Sequence, residues 1–372
     1  MKIAYLYDVI HPYVAGGVQK RIWELSTRLA AKGHQVTIFG MKHWEGADVM
    51  YKEGVRLWGV CPPQELLADG HRSVKEAIYF AWRALPPLMK ERFDIIDAAN
   101  FPYFPCFSAS INSLTRRSRL IITWHEIWGD YWYEYLGKKG IFGKIVERLT
   151  VSLPHKAIAV SPSTRRSLER LGRMKVAVIP TGVDIQMIEN VPPSAKATDI
   201  IFVGRLTGEK GVSLLIKAVH LIKEQRNNIG CLIIGDGPDR EHLQHLVRDL
   251  DLEANVHFGG RVDNDSDVFS AMKSSRVLAL PSLREGLGLV VVEANACGIP
   301  VVTIKHPLNA AQDLVTDGNN GYICELSEGD MAEKILMTLA SGGDWEGRCK
   351  DFAREYDWDA IVDSIEQFYQ TR

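Results

Sequence analysis

The stretch that decides the fold spans residues 277–300. It reads Val277-Leu278-Ala279-Leu280, then Pro281-Ser282-Leu283-Arg284-Glu285-Gly286-Leu287-Gly288, then Leu289-Val290-Val291-Val292-Glu293-Ala294-Asn295-Ala296-Cys297-Gly298-Ile299-Pro300. The first four residues are a short apolar run, the pattern of a strand buried on both faces. Gly286 and Gly288 keep Glu285 in a loop. A helix is predicted from about Leu289, stopped by Gly298, with Pro300 beyond it. The loop between them therefore lies at the carboxyl end of a strand, where open parallel sheets bind ligands. Backbone amides around Gly288–Val290 open the helix and suit a phosphate. Glu293 lies among apolar residues, and a carboxylate there is costly unless it accepts hydrogen bonds. Sugar and ribose hydroxyls are suitable donors.

The same alternation extends along the chain. Strands are predicted at 2–7, 35–39, 94–98, 119–124, 156–160, 176–179, 199–203, 230–234, 255–258, 276–280, 300–303 and 321–323, with helix-length patterns between them. About twelve strands are too many for one ordinary sheet. Val191-Pro192-Pro193-Ser194-Ala195-Lys196 reads as a linker. The expected fold class is α/β, with two doubly wound domains, 1–190 and 191–356, facing each other across a cleft. Apolar residues at 358, 361, 362, 365, 368 and 369 mark a last helix, about 357–372, expected to pack back on the first domain.

With 372 residues, 46% of them hydrophobic and 24% charged, the composition is that of an ordinary globular chain. It excludes disordered, collagen-like and coiled-coil readings. The net charge of −2 conceals an asymmetry: residues 1–190 sum to +8 and residues 191–372 to −10. A basic half can face an anionic surface or substrate. Apolar runs fall short of the ~18–20 residues of a spanning helix, and no signal peptide is visible. The six scattered Cys suit buried free thiols in a reducing compartment. The expected location is cytoplasmic, with peripheral association at the inner face of the membrane.

Further candidates sit at other strand ends. Gly16 and Gly17 open a helix after the first strand, where a ligand can approach amides closely. His125 ends the strand 119–124 and could bond a sugar hydroxyl or move a proton. Gly204-Arg205-Leu206-Thr207-Gly208-Glu209-Lys210-Gly211 resembles a P-loop, but Glu209 breaks the Walker spacing. Arg205 and Lys210 still bracket a short loop, a planar fork and a point charge suited to a diphosphate. No G-x-G-x-x-G follows a strand, which disfavours a dinucleotide oxidoreductase. No G-x-S-x-G elbow supports a serine hydrolase.

Taken together, these motifs resemble the family 4 retaining glycosyltransferases, with two facing Rossmann-like domains of the GT-B fold. The resemblance rests on Gly16-Gly17, Gly33-His34-x-Val36, Ser161-Pro162-Ser163 and Gly182-Val183-Asp184. It continues through Gly204-Arg205…Lys210-Gly211, Gly235-Asp236-Gly237-Pro238 and Glu285-x7-Glu293 with Gly298-x-Pro300. It implies that Glu285 contacts the donor hexose and Glu293 the ribose. Arg205 and Lys210 would neutralise the leaving diphosphate. Amides of Gly286, Leu287, Gly288 and Leu289 would touch sugar and phosphate. Gly17 would approach from the other domain, His125 would bond a hexose hydroxyl, and the Arg261-Val262 backbone would meet the nucleobase. Glu285, His125, Arg205 and Lys210 are the expected catalytic set. No cofactor or metal is expected, only a nucleotide-diphosphate sugar co-substrate, UDP- or GDP-linked. Two departures stand out: Thr181 replaces the usual Asn before Gly-Val-Asp, and Pro307–Ala311 replaces a frequent Gly-Gly. Asp263-Asn264-Asp265 imitates a metal-binding D-x-D but precedes a helix, where Asp serves as a cap.

The implied reaction is hexose transfer to a glycan or lipid-linked acceptor, with no nucleic acid partner. A sugar-nucleotide epimerase on the same fold, or a sugar-nucleotide-binding protein without turnover, are the alternatives. Trp124 to Tyr135 is dense in aromatics, and Lys138, Lys139, Lys144 and Arg148 follow. This suits an anionic membrane surface or a lipid-acceptor groove, or else a self-packing aromatic loop.

Overall fold

The computed structural model describes residues 1–14, 16–68, 71–173 and 175–371. The chain divides into two compact units, Met1–Pro180 with Trp358–Arg372, and Thr181–Asp357.

In the first unit the strands are β1 (Lys2–Leu6), β2 (Gln35–Gly40), β3 (Val49–Lys52), β4 (Val55–Gly59), β5 (Leu67–Ala68), β6 (His71–Arg72), β7 (Ile95–Ala99), β8 (Arg119–Trp124), β9 (Lys156–Ala159) and β10 (Val176–Val178). Eight of them form one sheet in the order β10-β9-β8-β7-β1-β2-β4-β3, while β5 and β6 pair separately. All its ladders are parallel except β3 with β4. That edge hairpin turns at Glu53 and Gly54, both at positive φ. The sequence reading passed over it because Glu-Gly is a weaker turn signal than Asn-Gly or Asp-Gly. Both faces of the sheet are covered, which explains why β7 is buried at every position.

The helix Trp358–Gln370 packs on the helix Gly17–Ala31 within this unit. Its Trp358, Ile361, Val362, Ile365 and Tyr369 join the core of Ile3, Ile95 and Ile158. The Tyr369 hydroxyl donates to Asp97 at 2.6 Å, and Thr123 donates to the same carboxylate at 2.7 Å.

The second unit carries β11 (Thr198–Val203), β12 (Cys231–Ile234), β13 (Val256–Gly260), β14 (Ser275–Leu280), β15 (Val301–Ile304) and β16 (Gly321–Cys324). They form a parallel sheet in the order β13-β12-β11-β14-β15-β16. This unit begins ahead of the Pro-rich stretch at 191–196. The reason is packing: the helix Ile185–Asn190 contacts the helix Leu289–Ala296. Lys273 also donates to the carbonyls of Glu189 and Val191, at 3.0 and 2.7 Å.

Candidate functional site

Strand order locates a crevice in each unit. In the second unit β11 has β12 on one side and β14 on the other, so the winding reverses between β11 and β14. Ligands bind doubly wound sheets at such a switch point, outside the carboxyl ends of the strands. The loops there are Gly204–Gly211 and Pro281–Gly288, and they carry Arg205, Lys210 and Glu285.

These loops are knitted together by backbone. The amide of Leu283 donates to the Glu209 carbonyl at 2.8 Å. Gly211 lies at φ +64, and a Cβ there would come within 2.2 Å of the Pro281 carbonyl oxygen. Gly235 lies at φ +140, where a Cβ would meet the Gly204 carbonyl oxygen at 1.8 Å. Glycine at these two positions lets three strand ends approach each other. The residues 307–311 close a fourth side: the Glu285 amide donates to Leu308, and the Ala310 amide donates to Glu285, both at 3.0 Å.

Inside this frame Lys210 donates to Glu285 Oε1 at 2.6 Å, with both side chains largely buried. Arg205 is exposed and has no ion-pair partner among the described residues. The hydroxyls of Thr207 and Ser282 are buried without a hydrogen-bond partner. A buried hydroxyl left unpaired is costly, and oxygens of a phosphate or sugar would satisfy both. Gly288 caps the helix Leu289–Ala296 at φ +83. Gly286 is half-buried, Leu287 is buried, and Leu289 and Glu293 are half-buried.

Arg261 and Val262 follow β13, two strands from β11. Arg261 is exposed and its Nε donates to Asp263 at 2.7 Å. The cap of the next helix is Asn264, not an aspartate: its side chain accepts from the Ser266 amide at 3.1 Å. Asp263 is occupied by Arg261 instead. Among the described residues no group of three or more His, Cys, Asp or Glu could hold a metal ion.

In the first unit the winding reverses between β1 and β7. Gly16 and Gly17 are exposed at the entrance of the helix Gly17–Ala31, after β1. His125 follows β8, one strand further out. Asn100, fully buried after β7, ties it to the switch point: its side chain accepts from the His125 amide at 2.9 Å and donates to the Glu126 carbonyl at 3.2 Å. Burial, helped by the nearby Arg21 charge, pushes the His125 imidazole down to about 3. The ring is neutral at physiological pH, so it can accept or donate a hydrogen bond but carries no charge to the substrate.

Sequence reasoning missed Asn100, and it missed a buried cluster beside it in the sheet order. Asp8, at the end of β1, pairs with Arg72, which also reaches Glu76 at 3.3 Å. Two carboxylates share one guanidinium there, and Asp8 Oδ1, Arg72 Nε and Glu76 Oε1 are left without partners. The Arg72–Glu76 spacing of four on a helix entrance was the available signal. The aromatic segment also differs from a membrane-facing loop. Trp124, Trp128 and Trp132 are buried, with Trp128 and Trp132 centroids 4.5 Å apart.

Residues 185–356 match the family model "Glycosyl transferases group 1", and residues 15–187 match "Glycosyltransferase Family 4". The chain is 26% identical to a phosphatidyl-myo-inositol mannosyltransferase of Mycolicibacterium smegmatis, over 98% of this chain and 93% of that protein. It is 23% identical to the gpi3 subunit of the phosphatidylinositol N-acetylglucosaminyltransferase of Schizosaccharomyces pombe, over 96% of this chain and 78% of that one. Among solved structures, the sucrose-phosphate synthase of Thermosynechococcus elongatus superposes with a TM-score of 0.79 at 20% identity, covering 99% and 98% of the two chains. Anabaena HepE in complex with UDP superposes at 0.76 and 20% identity, covering 99% of each.

Proposed function

The chain belongs to the family 4 glycosyltransferases of the GT-B fold and is a glycosyltransferase, and from that premise we propose which reaction it carries out. It moves a hexose from a UDP- or GDP-linked sugar to a lipid-linked acceptor, with retention at the anomeric carbon and without a metal. The observation that carries the donor reading is the Lys210–Glu285 pair at the switch point of the second sheet. The two partnerless hydroxyls of Thr207 and Ser282 beside it support that reading. The lipid-linked acceptor is favoured over a free glycan by the phosphatidylinositol-directed names of two relatives.

In this mechanism the bond from the anomeric carbon to the diphosphate breaks, and a bond to the acceptor hydroxyl oxygen forms on the same face. The acceptor proton passes to the departing phosphate oxygen. Charge builds on the diphosphate, where Arg205, Lys210 and the amides opening the helix at Leu289 stabilise it. Glu285 holds the hexose, and Glu293 holds the ribose. Retention by two carboxylates needs a pair ~5–5.5 Å apart across the reacting bond. With Glu293 given to the ribose, front-face attack is the consistent route. His125, neutral, bonds a hexose hydroxyl.

The test is a thermal-shift screen with UDP, GDP, dTDP and ADP and their sugar conjugates, with EDTA present. A ligand at 100 times its dissociation constant stabilises by ~2.7 kcal/mol. One nucleotide should shift the wild type and not Lys210→Ala. No shift with any nucleotide would overturn the donor reading. A shift that requires added divalent metal would overturn metal independence.

A further inference from the structure

The helix Gly140–Val151 is apolar on its outer face as well as its inner one, where Val151 joins the core and Val146 packs against it. Its buried face carries Glu147, which accepts from Tyr103 at 2.8 Å and from the amides of Trp128 and Gly129 at 2.9 and 3.1 Å. Its outer face carries Ile141, Phe142, Ile145 and Leu149, 41%, 68%, 47% and 53% exposed. Exposed apolar residues beside cations mark an interfacial surface. Lys138, Lys139 and Arg148 lie on this segment, exposed, with no acidic partner among the described residues.

Behind Phe142 an open cavity of about 150 Å³ enters the first unit. Ala77, Phe101, Trp132, Leu136, Phe142 and Val146 line it. A volume of roughly this size accepts a benzene-sized stretch of hydrocarbon. The accessible lining is almost wholly apolar. Arg72 lines the cavity and carries the Asp8–Glu76 cluster, and the buried indole N–H of Trp132 has no acceptor.

We propose that this cavity holds a segment of the hydrocarbon chain of the lipid acceptor, with its anionic headgroup outside among Lys138, Lys139 and Arg148. The chain supplies the apolar contacts along the lining. Charge complementarity selects an anionic amphiphile over a second protein surface. The inference rests on the lipid-acceptor reading. Nucleotide thermal shifts report on the second unit, so they separate a failure of the cavity from a failure of the donor site.

The experiment is calorimetric titration of the full chain with dodecyl phosphate below its micellar concentration, with butyl phosphate and inorganic phosphate as parallel arms. Dodecyl phosphate should bind at least tenfold more tightly than butyl phosphate, and inorganic phosphate should not bind. Val146→Trp, which fills the cavity, should weaken dodecyl phosphate at least tenfold and leave the nucleotide shift intact. Val74→Trp, at the exposed mouth, serves if Val146→Trp does not fold. The double variant Ile145→Asp with Leu149→Asp should lose anionic vesicles but keep dodecyl phosphate. Equal binding of the three phosphates would overturn the proposal in favour of a headgroup site. Unchanged binding in the filled variant, or loss of dodecyl phosphate in the outer-face double variant, would overturn it in favour of surface adsorption.

Discussion

Lys210 and Glu285, 75 residues apart in the chain, meet at 2.6 Å. We assign the cation to the diphosphate and the carboxylate to the hexose, and in the structure the two hold each other. On that assignment a donor must compete for the ammonium when it binds. Lys210→Ala should weaken nucleotide binding about 10–100-fold, the worth of one hydrogen bond to a charged group. Glu285→Ala should do the opposite to the free nucleotide, binding it as well or better, while transfer falls about 100–1000-fold. Calorimetry with the nucleotide and a product assay with the sugar conjugate read the two effects separately. Weaker nucleotide binding in Glu285→Ala would count against the competition.

The close approach of the strand ends predicts a second outcome. Gly235→Ala places a Cβ against the Gly204 carbonyl oxygen, at a φ that L side chains rarely adopt. Neither atom is the end of a flexible side chain. The variant should lose about 2–3 kcal/mol of stability, with nucleotide binding reduced. Gly17→Ala is the control, because a Cβ there meets nothing within 4 Å. Its thermal midpoint should stay near that of the wild type.

Stability against pH should carry two opposing slopes. Burial raises the Asp97 carboxyl from 3.8 to about 6, against its hydrogen bonds from Tyr369 and Thr123. The folded state then holds a proton that the unfolded chain has released. This contribution is full below pH 4 and is lost as pH rises to about 6, on the order of 3 kcal/mol. His125 and His155, both lowered by burial to about 3, act the other way. Their stabilisation is full above pH 6.5 and is lost as pH falls towards 3. Asp97→Asn should therefore steepen the loss of stability on acidification between pH 6 and 4. Urea unfolding at several pH values checks it, and parallel profiles for the two proteins would refute it.

Glu147 is the acid on which the loop 128–129 hangs. Glu147→Ala should strand three donors in the interior and cost about 3 kcal/mol. Glu147→Gln, which keeps an acceptor oxygen, should cost less. Denaturant midpoints of the two variants give the comparison.

Much of this was legible in the residues. Apolar runs such as Leu120-Ile121-Ile122 and Val277–Leu280 announce buried parallel strands because both faces need covering, and β8 and β14 lie there. The loops carrying Arg205, Lys210 and Glu285 follow from glycines and strand ends. What stayed hidden depends on partners distant in sequence. Asn100 shows its role only when β7 and β8 are adjacent. The Asp8–Arg72–Glu76 cluster needs β1 placed against a helix entrance. Trp128 and Trp132 read equally well as surface or core until Glu147 gathers their loop. The outer face of residues 141–149 stayed hidden for the same reason: the residues alone do not say that the polar Glu147 points inward.

The helix Trp358–Gln370 bears on the order of events at the ribosome. Residues 181–357 form a contiguous unit and can fold whole as they emerge. The unit begun first must wait for residues made after the whole of the second. At ~5–20 residues per second, the helix arrives roughly 10–35 s after Pro180. Until then Ile3, Ile95 and Ile158 lack their cover, and Asp97 lacks its tyrosine. The nascent first unit thus leaves that apolar face uncovered until synthesis reaches the segment that seals it.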